Sequence, residues 1–282
     1  MNEPPALGEC MALWHLERDG EPFSTATSVL APVRYRGVPA MLKIATAEEE
    51  RRGGVLMVWW HGRGAARVLR HSESAILLER ATGTRSLERM AQRGEDDAAT
   101  RILCATASTL HAPHKTASAP PPLTPLELWF ADLFAHATAV GGFFARAARV
   151  AEGLLAAQRE PVVLHGDLHH GNVLDFGASG WRAIDPKHVT GEAAFDFANM
   201  LCNPADVASR PGRVRRQALV IASATGIGVD RLLAWTVAWC GLSAAWEVQA
   251  GHRAEETLFI GRQAERLLGL APPQRSPGCS SP

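Results

Sequence analysis

His165-Gly166-Asp167-Leu168-His169-His170-Gly171-Asn172, followed after a short interval by Ile184-Asp185-Pro186, is the stretch from which the fold is read. Asp167 stands five residues before Asn172, the interval at which a catalytic Asp leads to a metal-binding Asn in phosphoryl-transfer loops. Phosphoryl transfer needs positioning, charge neutralisation and a group near the acceptor oxygen. A carboxylate, ionised at neutral pH, can orient a hydroxyl and take its proton, and the spacing predicts this role for Asp167. Mg²⁺ prefers oxygen ligands and usually keeps waters and substrate phosphates, so one amide and one carboxylate, Asn172 and Asp185, are a sufficient protein share.

The flanking residues predict how the three side chains converge. Val162-Val163-Leu164, Val173-Leu174 and Trp181-Arg182-Ala183-Ile184 read as short strands, and Gly177-Ala178-Ser179-Gly180 as a turn. A strand into His165 and a hairpin after Asn172 bring residues 167, 172 and 185 to one edge of a small sheet. Histidines 165, 169 and 170 could instead ligate zinc or be polar surface, but no H-E-x-x-H helix accompanies them. His165 reads as a hydrogen-bond partner that orders the loop.

A phosphotransferase of this kind needs a nucleotide-gripping region upstream. Met41-Leu42-Lys43-Ile44 supplies a strand lysine, which needs a charge partner if buried. Glu48-Glu49-Glu50 opens the next helical stretch; Glu50 is favoured as that partner and Glu49 comes second, the alternative being a solvated first turn. Phe23 to Val29 lies where a phosphate-covering hairpin is expected, with Ser24 and Thr25 as donors, although it has neither G-x-G-x-x-G nor a Walker A loop. Ala75 to Ala81 reads as a buried strand running out into a hinge that offers adenine its backbone at Glu79 and Ala81.

With these residues in place the chain resembles the aminoglycoside phosphotransferase family, over most of residues 20 to 270. Trp60-His61-Gly62-Arg63-Gly64-Ala65-Ala66-Arg67 and Cys240-Gly241-Leu242-Ser243-Ala244-Ala245-Trp246, with the 164–172 loop and Ile184-Asp185-Pro186, are similar to the branch of streptomycin 6-phosphotransferases and hydroxyurea phosphotransferases. The resemblance implies an α+β, bilobal protein-kinase-like fold with a small β-rich N-terminal lobe and a larger, mainly α-helical C-terminal lobe. It also implies ATP and Mg²⁺ as cofactors, Asp167 as base, Asn172 and Asp185 as Mg²⁺ ligands, and Lys43 on the α- and β-phosphates. Many relatives carry the lysine's glutamate nearer the Trp-x-Gly-Arg-Gly segment, where this chain has Gly53-Gly54.

Composition sets the outer bounds. The chain has 282 residues, 46% of them hydrophobic, enough for two lobes. Residues 1–80 carry the short strand-like runs and 81–271 the Ala- and Leu-rich helical stretches; the Pro/Ser-rich segment 272–282 is expected to be a disordered tail. Twenty-nine basic residues balance twenty-nine acidic ones, leaving no electrostatic footprint for nucleic acid. Cysteines 10, 104, 202, 240 and 279 form no C-x-x-C pair and read as reduced thiols. With no signal-peptide pattern at the N-terminus and with Leu232 to Trp246 short of the roughly 20 residues that span a bilayer, the expected location is cytoplasmic and no membrane partner is expected. Leu232, Trp235, Trp239, Leu242 and Trp246 mark one helical face, read as core. Pro120-Pro121-Pro122 ends one helical stretch before another starts near Pro125. Monomer and homodimer are not distinguished by the sequence.

A cationic acceptor needs carboxylates near the base, and Glu192, Asp196, Asp206 and Glu247 are the candidates, with Glu255 and Glu256 beyond them. Asp196 has a second reading as an anchor of the loop. The leading expectation is transfer of the γ-phosphoryl group of ATP to a streptomycin-type 6-hydroxyl. The alternatives are a kinase of another small hydroxyl or hydroxamate-like molecule such as hydroxyurea, and a silent kinase-like binding module. Intact Lys43, Asp167, Asn172 and Asp185 argue against the last.

Overall fold

The computed structural model describes residues 7–113 and 119–270. The expectation for the tail at 272–282 lies outside the described residues. Helix α1 (Leu7–Leu13) covers a six-stranded antiparallel sheet built from β1 (Glu17–Arg18), β2 (Phe23–Ser24), β3 (Ser28–Tyr35), β4 (Val38–Ala45), β5 (Val68–His71) and β6 (Ala75–Glu79). The order is β1-β3-β4-β6-β5, with β2 also on β3, and α2 (Glu48–Trp60) is inserted between β4 and β5. Side chains alternate across a strand, and β4 shows the consequence. Ala40, Leu42 and Ile44 enter a core with Cys10, Trp14 and Leu77, whereas Met41 and Lys43 line a cavity that also reaches Asn172 and Asp185.

The remaining chain forms a larger helical lobe. Its first part contains α3 (Leu87–Gln92), α4 (Asp96–His111), β7 (Thr124–Pro125), α5 (Leu126–Trp129), α6 (Ala131–Val140) and α7 (Gly142–Ala156). Then come β8 (Pro161–Leu164), β9 (Val173–Asp175), β10 (Trp181–Ala183) and β11 (Val189–Glu192). The lobe closes with α8 (Ala194–Leu201), α9 (Ala205–Ala208), α10 (Arg213–Thr225), α11 (Val229–Gln249) and α12 (Glu255–Leu267). The helix break around the three prolines falls between α4 and α5, and β9 and β10 form the antiparallel hairpin expected after Asn172.

α11 packs against α7, α8 and α12. Its Trp235 is fully buried, with ring centroids 5.8 Å from Phe195 and 6.1 Å from Phe130. Farther along the stripe, Trp246 is only half-buried. Among the described residues no helix is long and apolar enough to cross a membrane, and Cys10, Cys104, Cys202 and Cys240 are free thiols.

The lobes meet where α2 presses on the segment after β10. A Cβ at Gly53, inside α2, would lie 2.4 Å from the carbonyl oxygen of Pro186, so a residue that weakens a helix interior is required by the close approach. The Trp60-to-Gly64 turn is joined to the same hairpin: Ala183 N–H donates to Gly64 O at 2.8 Å, and Arg182 Nη1 donates to Gly62 O at 2.8 Å. Gly53→Ala is expected to destabilise the protein by about 1–3 kcal/mol through overpacking. Gly153→Ala in α7, where an added Cβ meets nothing within 4 Å, should stabilise it by about 0.5–1 kcal/mol. Urea denaturation of the two variants checks both signs.

Candidate active site

Lys43 lies in mid-strand opposite Leu30 on β3 and Ile76 on β6, with its side chain 8% exposed. Its ammonium is paired with Glu50 and, at 2.5 Å, with Asp185. Glu49 faces elsewhere, toward Lys187 Nζ at 3.2 Å, because neighbouring residues on a helix point about 100° apart. Glu50 also accepts a hydrogen bond from Thr27 Oγ1 at 3.0 Å, tying the β2–β3 turn to α2.

The loop after β8 is anchored from below. Asp196 on α8 is completely buried, and its carboxylate accepts from the backbone N–H groups of His165 at 2.8 Å and Gly166 at 2.7 Å; it also pairs with His111 Nε2 at 2.7 Å. Burial pushes the Asp196 carboxyl up, but these contacts more than offset it and hold it below the ordinary carboxylate range. Burial drives His165 down and neutral; its Nε2 lies 2.8 Å from Ile184 O and its Nδ1 accepts from Asp167 N–H at 3.3 Å. His170 is also neutral, pushed down to about 3 by burial and by the Arg213 cation. His169 turns the other way, 3.8 Å from Asp167, so the three histidines do not converge.

Asp167 is held from two sides. Asn199 Nδ2 donates to its Oδ1 at 2.8 Å, and Asn172 Nδ2 donates to its Oδ2 at 3.2 Å and to its backbone carbonyl at 2.9 Å. With both amide hydrogens used on Asp167, the Asn172 side chain presents its oxygen away from that residue. Asp185 has a left-handed backbone, φ 59°. Ile184 N–H to Asn172 O, 2.9 Å, and Lys187 N–H to His165 O, 2.7 Å, stitch its segment to the loop.

Two cavities flank these residues. One, of about 540 Å³, has apolar walls that include Leu30, Met41, Leu78, Leu174 and Phe176, and its polar end holds Lys43, Glu50, Asn172 and Asp185. Thr25, Glu79 and Ala81 border it. The Thr25 amide and hydroxyl both donate to Ser28 O. Glu79 is occupied by Arg67 N–H at 2.8 Å and Arg182 Nη1 at 3.2 Å, and the Ala81 amide has no partner among the described residues. The other cavity, of about 710 Å³, is lined by Asp167, His169 and Lys187 and also by Asp132, Trp239 and Trp246.

Several expected site residues lie away from the two cavities. Ser24 sits on the exposed β2 strand, paired with Val29, and does not line the first cavity. None of the four acids chosen for the acceptor lines the second cavity. Glu192 is buried against Arg231, whose Nε is 2.7 Å away, and that guanidinium outweighs burial to keep its carboxyl below the ordinary range. Asp196 is the loop anchor of its second reading. Asp206 is on the exposed side of α9, and Glu247 is turned toward Thr257 Oγ1, 2.6 Å away, and Ser243. Asp132, Trp129, Asn199, Asn203 and Lys187 line the cavity instead. Of these, only Lys187 carried a signal, its place two residues beyond Asp185.

A sheet-borne lysine paired to a helix glutamate, an Asp and Asn on one loop and a second Asp beyond a hairpin define a phosphotransferase site in a bilobal, protein-kinase-like fold. An aminoglycoside phosphotransferase crystallised with ADP and hygromycin B has that fold, with a TM-score of 0.65 at 12% identity, covering 93% of this chain and 97% of that one. The sequence family described as aminoglycoside/hydroxyurea antibiotic resistance kinase matches residues 13–251. A streptomycin 3″-kinase of Klebsiella pneumoniae is 47% identical over 269 residues, covering 92% of this chain and 100% of that protein. A streptomycin 6-kinase of Streptomyces griseus is 31% identical over 269 residues, covering 89% and 85%. The chain belongs to the aminoglycoside/hydroxyurea antibiotic resistance kinase family, and it is an ATP-dependent phosphotransferase.

Asp196→Ala strands two buried amide donors beneath the loop. It should destabilise the protein by about 2–4 kcal/mol, read as a lowered denaturation midpoint.

Proposed function

We propose that this kinase transfers the γ-phosphoryl group of ATP to a hydroxyl of streptomycin. The observation that carries the reading is the arrangement around one loop. Asn172 and Asp185 border the apolar-walled cavity suited to a nucleotide, while Asp167 borders the larger cavity suited to an acceptor. Leu30, Met41, Leu174 and Phe176 would enclose a flat base, Ala81 would offer it an amide, and Lys43 would face the phosphates.

The Asn172 amide oxygen and the Asp185 carboxylate are hard oxygen donors of the kind Mg²⁺ takes. When bound, Mg²⁺ neutralises charge on the phosphate oxygens. The chain's own work lies in Asp167. Two asparagine amides fix its carboxylate, leaving lone pairs for the acceptor hydroxyl. As the hydroxyl oxygen bonds to the γ-phosphorus and the bond to the ADP oxygen breaks, the hydroxyl proton passes to Asp167.

Which hydroxyl reacts is a finer matter. The 6-hydroxyl expectation rests on the branch resemblance, and the 6-kinase relative is 31% identical. The 47% relative is a 3″-kinase and favours the 3″-hydroxyl. Tandem mass spectrometry of streptomycin after incubation with enzyme and ATP·Mg²⁺ is the test. One added phosphate on the 3″-bearing sugar is the expected result; phosphate on the aminocyclitol restores the 6-hydroxyl reading, and no added phosphate rejects streptomycin.

Asp167→Asn should retain nucleotide binding while turnover falls by about 10²–10⁴, checked by isothermal titration and coupled ADP release. For Asp185→Ala the expected change is a raised magnesium requirement. Unaltered magnesium dependence would remove Asp185 from the metal site.

A further inference from the structure

Three tryptophans line the acceptor cavity, Trp129 at the end of α5 and Trp239 and Trp246 on α11. Trp246 stands nearly perpendicular to both neighbours, with centroids 5.6 Å from Trp129 at 82° and 6.0 Å from Trp239 at 81°. Edge-to-face contacts build a corner in which rings are not stacked face against face. Asp132 on α6 completes the corner: Trp246 Nε1 donates to its Oδ2 at 2.8 Å. No lysine or arginine pairs with Asp132 among the described residues. Among the described residues lining the cavity, Lys187 is the one Lys or Arg, and it is engaged by Glu49 at 3.2 Å.

An aromatic wall alone suits any flat apolar ring, and a carboxylate alone suits any cation. Together they suit a delocalised cation, whose face lies on an indole and whose N–H groups reach the acid. We propose that Trp129, Trp239, Trp246 and Asp132 form a cage for a guanidinium or ammonium group of the acceptor, selecting cationic aminocyclitols over uncharged hydroxyl compounds. The inference rests on the acceptor reading above, and it assigns to this corner the charge recognition once expected of Glu192, Asp196, Asp206 and Glu247.

Full-length Asp132→Asn, Trp246→Leu and Trp246→Phe test it through steady-state kinetics with streptomycin and through quenching of tryptophan fluorescence by methylguanidinium. Asp132→Asn and Trp246→Leu should each raise the KM for streptomycin by about tenfold, with the KM for ATP as in the parent. Trp246→Phe, which keeps a ring face, should raise it less. Methylguanidinium should quench the parent saturably and Trp246→Leu weakly or not at all. An unchanged streptomycin KM in both Asp132→Asn and Trp246→Leu overturns the cage, as does an absence of saturable quenching in the parent. If the parent does not phosphorylate streptomycin, the acceptor reading fails separately, and the quenching titration still decides whether the corner binds a cation.

Discussion

A lysine ammonium whose side chain is 8% exposed has to be paired, and Lys43 is paired with Glu50 from α2 and with Asp185 from the segment after β10. Buried ion pairs contribute little net stability, but breaking one leaves an uncompensated charge, so their geometry is specified closely. Here the specification joins three elements. β4 supplies the cation, α2 one anion and the helical lobe the other, and Lys187 extends the network by engaging Glu49 and approaching Glu50 at 3.8 Å. Gly53 permits it, since any side chain there would hold α2 off Pro186.

A second constraint works from within the helical lobe. Asp196 collects the amides of His165 and Gly166 while His111 braces its other side. The loop is therefore set by an acid that faces neither cavity. Above it, Asp185 and His188 adopt left-handed backbones, φ 59° and 46°, which side chains other than glycine rarely take. The strand pairing of β11 and the backbone bonds from Ile184 and Lys187 hold that path. The same path carries Asp185 to the first cavity and Lys187 to the second.

How much of this was legible follows from the range of each signal. The strands around the loop and the Asp175–Trp181 hairpin announced themselves through short apolar runs and glycines, which act locally. Lys43 stood out because a charge within an apolar strand demands an explanation, whereas Glu50 and Glu49 were separated by the structure, which turns one to Lys43 and the other to Lys187. The four acids expected at the acceptor lie away from the second cavity for the opposite reason. Glu192, Asp206 and Glu247 look alike in one dimension, and only their neighbours separate an acid clamped by Arg231 from one open to water. The tryptophan stripe was largely legible: Trp235 and Trp239 are buried as periodicity implies, while the half-buried Trp246 borders a cavity where α5 ends and α6 begins.

By itself, then, the sequence determined the phosphotransferase loop, the lysine strand and the two-lobed plan, since each depends on spacings of a few residues and on local backbone preference. The tertiary structure alone decided which carboxylates are anchors and which face the second cavity. Asp132 meets Trp246 from 114 residues away, and Asp196 meets His111 from 85. Contacts of that range arise from helix packing, in which the identity of a residue says nothing of the surface it will meet.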